Sequence, residues 1–321
     1  MVSLVIFGCK DYSKTGSDRP NIFVISPLVH PSLEASISGF KQGLVENGYP
    51  LEKINLQYLN ANGDFSKISS LVKTAIASKP ALIFVLTTPA ASEAIKLTNS
   101  AKIPLVYTAV TDPVDAKIVT SMVKSETLAT GVSDRYPVEE QVKVFIRIMP
   151  NMRRTGLIYN PSEQNSLILV SQTINELNKN KVTANKYEVH SSSEITSQMK
   201  RLISENDSVI VNGDNLVMEN LSTVINLCIQ NKKPLFVGDP DSVRKGAVAT
   251  VGPSYYDIGR KAGEKGAQIL GGKNPKDIPS EYPTAYDYII NTKAAELMGL
   301  KIPSEFWAQR EIWESKASSI K

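Results

Sequence analysis

The chain has 321 residues, enough for two lobes with a core each, because a single hydrophobic core stops growing at roughly 250–300 residues. Its 36 basic and 32 acidic residues nearly cancel to +4, and the basic ones are scattered in short pairs such as Arg153-Arg154 and Lys232-Lys233, which excludes a phosphate-tracking surface for nucleic acid. Two cysteines exclude a disulfide framework, and after the first few residues no run of ~18 apolar residues is available to cross a membrane.

Residues 1–20 read as a leader and tether. The apolar run Val2 to Phe7 and Gly8 precede Cys9, and Lys10, Asp11 and a polar stretch follow. This is the shape of a bacterial lipoprotein tail, cut before a cysteine that then carries lipid; the alternative is a cytoplasmic N-terminal tail. Cys228 sits among Val224, Ile225, Leu227 and Ile229 as a core residue of a helix.

From Asn21 onward, short apolar runs alternate with amphipathic segments. Asn21 to Ser26 reads as a strand and Pro31 to Gly48 as a helix, with Leu33, Ile37, Phe40 and Leu44 on one face, Pro31 near its start and Gly48 at its end. Strands follow at Ile54 to Leu59, Ala81 to Thr87 and Pro104 to Val110, separated by helices at Phe65 to Ser78 and Pro89 to Asn99. A second series begins after Gly131, with helices at Val138 to Met149, Glu163 to Asn178, Glu194 to Ser204 and Leu216 to Asn231. Its strands are Thr155 to Asn160, Ala184 to Val189, Ser208 to Asn212 and Pro234 to Gly238. Such βαβ repetition predicts parallel sheets with helices on both faces. Beyond both series lie a strand at Gly246 to Val251, a helix at Tyr255 to Leu270, a strand at Tyr286 to Asn291 and a short last helix. The surplus predicts a chain that returns to the first lobe and crosses again, as a hinge requires. The expected division is 21–128 plus 247–280 for the N-terminal lobe and 129–246 plus 284–321 for the C-terminal lobe, with the ligand cleft between them.

In open α/β sheets ligands bind beyond the carboxyl ends of the strands, where helix N-termini carry free N–H groups. The residues at those places form the candidate ligand set. They are Ser26, His30, Thr87, Thr88, Pro89, Thr111 and Asp112 in the first lobe, and Ser133, Tyr159, Asn160, Glu163, Asn165, Ser166, Asp214, Asn215 and Asp239 in the second. Any one of these types is also what a turn or helix cap prefers, but the enrichment recurs at loops that would all face one cleft. Thr87, Thr88 and Ser166 suit a carboxylate, and Asp214 or Asp239 an ammonium, so an amino acid is the expected ligand. Replacing Asp214 or Asp239 is therefore expected to cost more than replacing His30, which reads as a turn residue. Tyr159 either stacks on the ligand or ends a buried strand as core. No nucleophile elbow, phosphate loop or metal-ligand spacing occurs, and only two histidines could serve as bases, so no catalytic set, cofactor or metal is expected.

Several runs are similar to one family. SPLVHPSLEASISGFKQGLVENGY (26–49), TAVTDPVDA (108–116), GVSDRYPVEEQVKVFIRIMPNMRRTGLIYNPSEQNS (131–166), GDPDSVRKGAVATVGPSYYDIGRKAGEKGAQILGGKNPKDIP (238–279) and YDYIINTKAAELMGLKIP (286–303) resemble the ABC-transporter substrate-binding proteins typified by tryptophan-binding TrpX-like lipoproteins. Where many members have an acidic residue before the His-Pro pair, this chain has Val29. The resemblance implies a type I periplasmic-binding-protein fold, two Rossmann-like doubly wound lobes joined by a multi-strand hinge. It also implies an extracytoplasmic, lipid-anchored monomer that binds a small molecule by hinge closure, with a permease and an ATPase as partners and no catalysis. The rivals are a ligand-sensing subunit for a membrane receptor, an α/β enzyme, and a cytoplasmic sensor, for which the residues before the first strand leave no room for a helix-turn-helix.

Overall fold

The computed structural model describes residues 19–306; Cys9, on which the lipid-anchor expectation rests, lies outside the described residues. The first lobe runs β1 (Asn21–Ser26), α1 (Pro31–Glu46), β2 (Asn55–Asn60), α2 (Ile68–Ala77), β3 (Leu82–Leu86), α3 (Thr88–Ala101), β4 (Leu105–Val110) and β5 (Ala129–Ser133). The second runs α4 (Val138–Ile148), β6 (Arg154–Tyr159), α5 (Gln164–Lys179), β7 (Thr183–Glu188), α6 (Ile195–Glu205), β8 (Ser208–Val211), α7 (Asn215–Glu219), α8 (Leu221–Gln230), β9 (Leu235–Val237), α9 (Pro240–Lys245) and β10 (Ala249–Gly252). Helix α10 (Tyr255–Leu270), strand β11 (Asp287–Ile290) and α11 (Thr292–Leu297) close the described chain.

One sheet has the order β2-β1-β3-β4-β5 and the other β11-β10-β9-β8-β6-β7. Every pairing is parallel except that of β10 with β11. The central strands are buried on both faces, which is why Leu82–Leu86 is apolar without alternation. Stacked rings pin one helix to each sheet: Phe40 of α1 lies 3.9 Å from Phe84 of β3, and Phe145 of α4 lies 4.6 Å from Phe236 of β9.

Two details of the expected division change. Residues Ala129–Ser133, assigned to the second lobe, pair with β4 and complete the first sheet. Ala249–Gly252, assigned to the first lobe, pairs with β9 and β11 in the second. Only helix α10 and the segment after it return, because α10 carries glycines that let it lie directly against α1. The segment expected as one helix from Leu216 to Asn231 breaks at Asn220 into α7 and α8.

The chain therefore passes between the lobes three times, at residues 133–138, 252–255 and 281–287. The third pass is held at its first-lobe end. Backbone bonds join Glu281 to Gly131 and Ser133, and the buried Lys265 of α10 donates from Nζ to the Pro279 carbonyl at 2.7 Å and to Glu281 Oε1 at 2.6 Å. Among the described residues no helix is long and apolar enough to cross a membrane.

Candidate functional site

Both sheets reverse their order beside their first strand. β2 and β3 flank β1, and β7 and β8 flank β6. At such a switch point the connections leave in opposite directions and open a crevice beyond the strand ends. The two crevices meet in one cavity with about 430 Å³ of empty space, its mouth included. Leu28 and His30 reach it from the β1–α1 turn, Ser32 and Leu33 from the first turn of α1, Thr87 from the end of β3, and Ala109 and Thr111 from the end of β4. Asn165, Gly213, Asn215, Met218 and Asp239 come from the second lobe, and Asp134, Tyr136 and Tyr255 from the crossing segments.

The backbone is strained at this wall. Thr87 has φ 77° and ψ 152°, a region that glycine occupies almost alone, and Ala109 has φ 54°. Each such residue costs on the order of 1–3 kcal/mol and persists only where its surroundings over-determine it.

The polar atoms decide what the cavity can do. Four buried ones in its lining have no hydrogen-bond partner among the described residues: His30 Nε2, Thr87 Oγ1, Asp134 Oδ1 and Asn165 Oδ1. Leaving a buried polar atom unmade costs about 1–3 kcal/mol, so four in one cavity mark a place for a polar ligand. Their chemical characters differ. His30 caps α1, its Nδ1 accepting from the Ser32 N–H at 3.3 Å, so the neutral ring carries its proton on Nε2 and offers a donor. Burial lowers the pKa of His30 and favours that neutral ring, against the pull of Asp239 and Asp241. The Asn165 amide donates to the Gly213 carbonyl at 2.7 Å, which leaves its oxygen as an acceptor.

Asp134 is an acceptor too. Tyr255 donates its hydroxyl hydrogen to Asp134 Oδ2 at 2.7 Å, so the Tyr136 hydroxyl, 2.8 Å away, must donate to Tyr255. Burial pushes the Asp134 carboxyl up to about 6, with the Tyr255 and Thr111 hydroxyls acting the other way. Asp134 and Asp239 are the only charged side chains in the described lining. The described lining thus carries two carboxylates and no Lys or Arg. The Thr87 hydroxyl, without a partner among the described residues, stands at the N-terminus of α3.

Of the residues expected at the site, His30, Thr87, Thr111, Asn165, Asn215 and Asp239 line the cavity. Others stand behind it. Ser26 Oγ donates to the Leu28 carbonyl, Ser133 Oγ to the Thr111 carbonyl, and Thr88 Oγ1 accepts from the Thr111 N–H. Asp112 accepts from the amides of Val114 and Asp115, and Glu163 from those of Asn215 and Leu216. Pro89 faces a separate groove with Phe65 and Glu93. Tyr159 is core: it is 2% exposed in β6 and its hydroxyl donates to Glu188.

Asp214 and Asp239, the carboxylates expected to hold an ammonium, both cap helices and accept further hydrogen bonds. Asp214 caps α7 through Val217 N and accepts from the Asn160 N–H and Ser166 Oγ. Burial, and then the neighbouring Glu163, push its pKa up. Asp239 caps α9 through Ser242 N and Oγ and accepts from Ser32 Oγ at 2.6 Å across the cleft. Asp134 holds the unpartnered oxygen. Residue order places Asp134 after Ser133 in one of the cleft loops, but nothing local separates its carboxylate from those of Asp214 and Asp239; Tyr255 is passed over because it lies inside a helix read only for its packing.

Residues 21–310 match the family described as ABC transporter substrate binding protein. This chain belongs to that family. Its fold is the type I periplasmic-binding-protein fold, and the family is one of binding proteins rather than enzymes, acting outside the cytoplasm with ABC transporter partners. A curated relative from Clostridioides difficile, named a tyrosine-binding protein, is 32% identical over 290 residues, covering 90% of this chain and 84% of its own. The structure of the ABC domain in complex with L-Trp from Streptococcus pneumoniae superposes with TM-score 0.87 at 30% identity, covering 92% of this chain and 99% of that one. The ligand-free, open structure of a substrate binding protein with adhesive properties from Clostridium difficile is also 30% identical, covering 89% and 96%, but its TM-score is 0.66.

Equal identity with unequal superposition is what a difference in lobe disposition produces. This substrate-binding protein has its lobes placed as in the L-Trp complex rather than as in the open form. Contacts across the cleft agree: Gln164 of α5 donates from Nε2 to the Asp115 carbonyl at 3.0 Å, and Ser32 reaches Asp239.

Proposed function

We propose that this substrate-binding protein captures an α-amino acid with an apolar or aromatic side chain and hands it to an ABC permease and ATPase for import. One observation carries the reading. The cavity between the lobes presents an unpartnered carboxylate oxygen of Asp134, no cationic side chain among the described lining residues, and an unpartnered hydroxyl at the N-terminus of α3. These are the partners of an ammonium and a carboxylate on one small molecule. Leu28, Leu33, Met218, Tyr136 and Tyr255 supply apolar surface for the rest of it. Relatives named for tyrosine and bound to L-Trp support an aromatic amino acid. Because the ligand touches both lobes, it favours the closed arrangement by the difference in its affinity for the two.

A thermal-shift panel tests this. At 100 times its dissociation constant a ligand adds about 2.7 kcal/mol of stability. Tyrosine, tryptophan or phenylalanine should raise the melting temperature, and their decarboxylated and deaminated analogues should not. A shift with sugars or nucleosides and none with amino acids would overturn the assignment.

The same reading includes lipid attachment at Cys9 and a monomeric chain. Cys9→Ser is expected to move the exported protein from the detergent phase to the aqueous phase in a cloud-point extraction; an unchanged partition removes the anchor from the proposal.

A further inference from the structure

A buried carboxylate loses its hydration, and without compensation it takes up a proton and ceases to attract a cation. Asp134 is buried, and the titratable groups beside it in the described lining are His30, Tyr136, Asp239 and Tyr255. None of these brings a positive charge: burial, the largest influence on His30, favours its neutral ring, and Asp239 repels. The charge on Asp134 therefore depends on hydrogen-bond donors.

Tyr255 is the donor in place. Its hydroxyl donates to Asp134 Oδ2 at 2.7 Å and, having one hydrogen, accepts from the Tyr136 hydroxyl at 2.8 Å. Burial pushes both phenols well above their ordinary range, so both keep the hydrogen they donate. The pair is held from both lobes. Tyr255 opens α10, where Ser254 caps the helix and Ser36 Oγ donates to the Tyr255 carbonyl at 3.0 Å. The Tyr136 ring lies on second-lobe backbone, where a Cβ at Gly238 would stand 2.3 Å from it and one at Gly213 3.2 Å. We infer that Tyr255 is the positioning residue of the ammonium site: its hydroxyl, itself hydrogen-bonded by Tyr136, takes Oδ2 of Asp134 and leaves Oδ1 and the negative charge for the ligand. Tyr255 acts on the ammonium through Asp134. Burial raises the Asp134 carboxyl and Asp239 adds to the rise, while the Tyr255 hydroxyl, the Thr111 hydroxyl and the backbone N–H of Asp134 oppose it.

This inference rests on the amino-acid reading, with Asp134 at the ammonium. Its test is titration calorimetry of the wild type, Tyr255→Phe and Tyr136→Phe with L-tryptophan and L-tyrosine over about pH 4.5–8, beside a carbon-13 NMR titration of the Asp134 carboxyl in the unliganded proteins. Phenylalanine keeps the ring and removes only the hydroxyl. Losing a donor to the carboxylate raises its pKa, so in Tyr255→Phe the pH below which affinity weakens should move up by about one unit or more. The deficit against the wild type should then shrink as pH rises. Tyr136→Phe removes a bond to Tyr255 and none to Asp134, so it should move that pH by less than about half as much. The NMR titration reads Asp134 directly, even in a variant that binds too weakly for calorimetry. A Tyr255→Phe deficit equal at every pH marks a packing role, and an Asp134 titration unmoved from the wild type marks none; either overturns the inference and leaves the amino-acid reading in place. If the wild type binds neither amino acid, that reading fails and this inference with it.

Discussion

Replacing Asp134 with Asn is expected to lower affinity for the amino acid about a hundredfold or more, because truncating one partner of a buried charge pair costs roughly 2–5 kcal/mol. Asparagine occupies the same volume and can still accept from Tyr255, so the loss isolates the charge. The free protein should respond in the opposite sense. Burial raises the Asp134 pKa to about 6, so the folded chain holds this proton more tightly than the unfolded chain does. Stability therefore declines as pH rises from the ordinary carboxyl value through about 6, and at pH 7 the unliganded Asp134→Asn variant should melt higher than the wild type.

Ligand binding supplies the second half of the sign. An ammonium beside Asp134 favours the ionised form, so binding below pH 6 must first release the proton. Wild-type affinity should weaken by up to about tenfold for each pH unit below 6 and be flat above it, while the variant stays flat throughout. Titration calorimetry across pH 4.5–8 reads both. A pH-independent wild type, or a variant that binds normally, would remove Asp134 from the site.

The second large effect concerns stability. Gly263→Ala should destabilise the fold by about 3 kcal/mol or more and lower its melting temperature by roughly 10 °C. A Cβ at Gly263 would stand 2.2 Å from the Phe40 carbonyl oxygen and 2.9 Å from the Gly43 Cα. Gly43 and Gly259 show the same contact from both sides, with 2.0 Å to the Arg260 oxygen and 2.1 Å to the Ser36 oxygen. These obstacles are backbone atoms in two rigid helices, which cannot rotate aside as a side chain can. Inserting one methyl separates α1 from α10, and α10 is the helix that ties the returning chain to the first lobe. A loss below about 1 kcal/mol in denaturant unfolding would mean that the helices slide to accommodate it.

The strands and most helices were legible because their signals are local. Leu82–Leu86 is an unbroken apolar run, and the α1 sequence carries Leu33, Ile37, Phe40 and Leu44 at helical spacing behind Pro31. Helix α10 runs over the very residues that periodicity marks, Tyr255 to Leu270. The weak elements were the ones missed. β5 reads Ala-Thr-Gly-Val-Ser and is a strand because β4 offers it an edge, and α9 has six residues and exists because Asp239 caps it.

The same division holds at the cleft. Position after a strand is a property of the chain, so the loops that line the cavity could be named from residue order, His30, Thr87 and Asn165 among them. Which of their atoms remain free could not. Asp134, Asp214 and Asp239 are alike in sequence, each following a strand in a polar loop, yet the caps of α7 and α9 occupy two of them and leave one oxygen of the third bare. Most of the secondary structure, and with it the two-lobed plan, was set by the sequence alone, because capping and periodicity act over a few residues. The free carboxylate, the oriented imidazole and the closed cleft were decided by tertiary structure, because a hydrogen bond is counted only after every competing partner has taken its place.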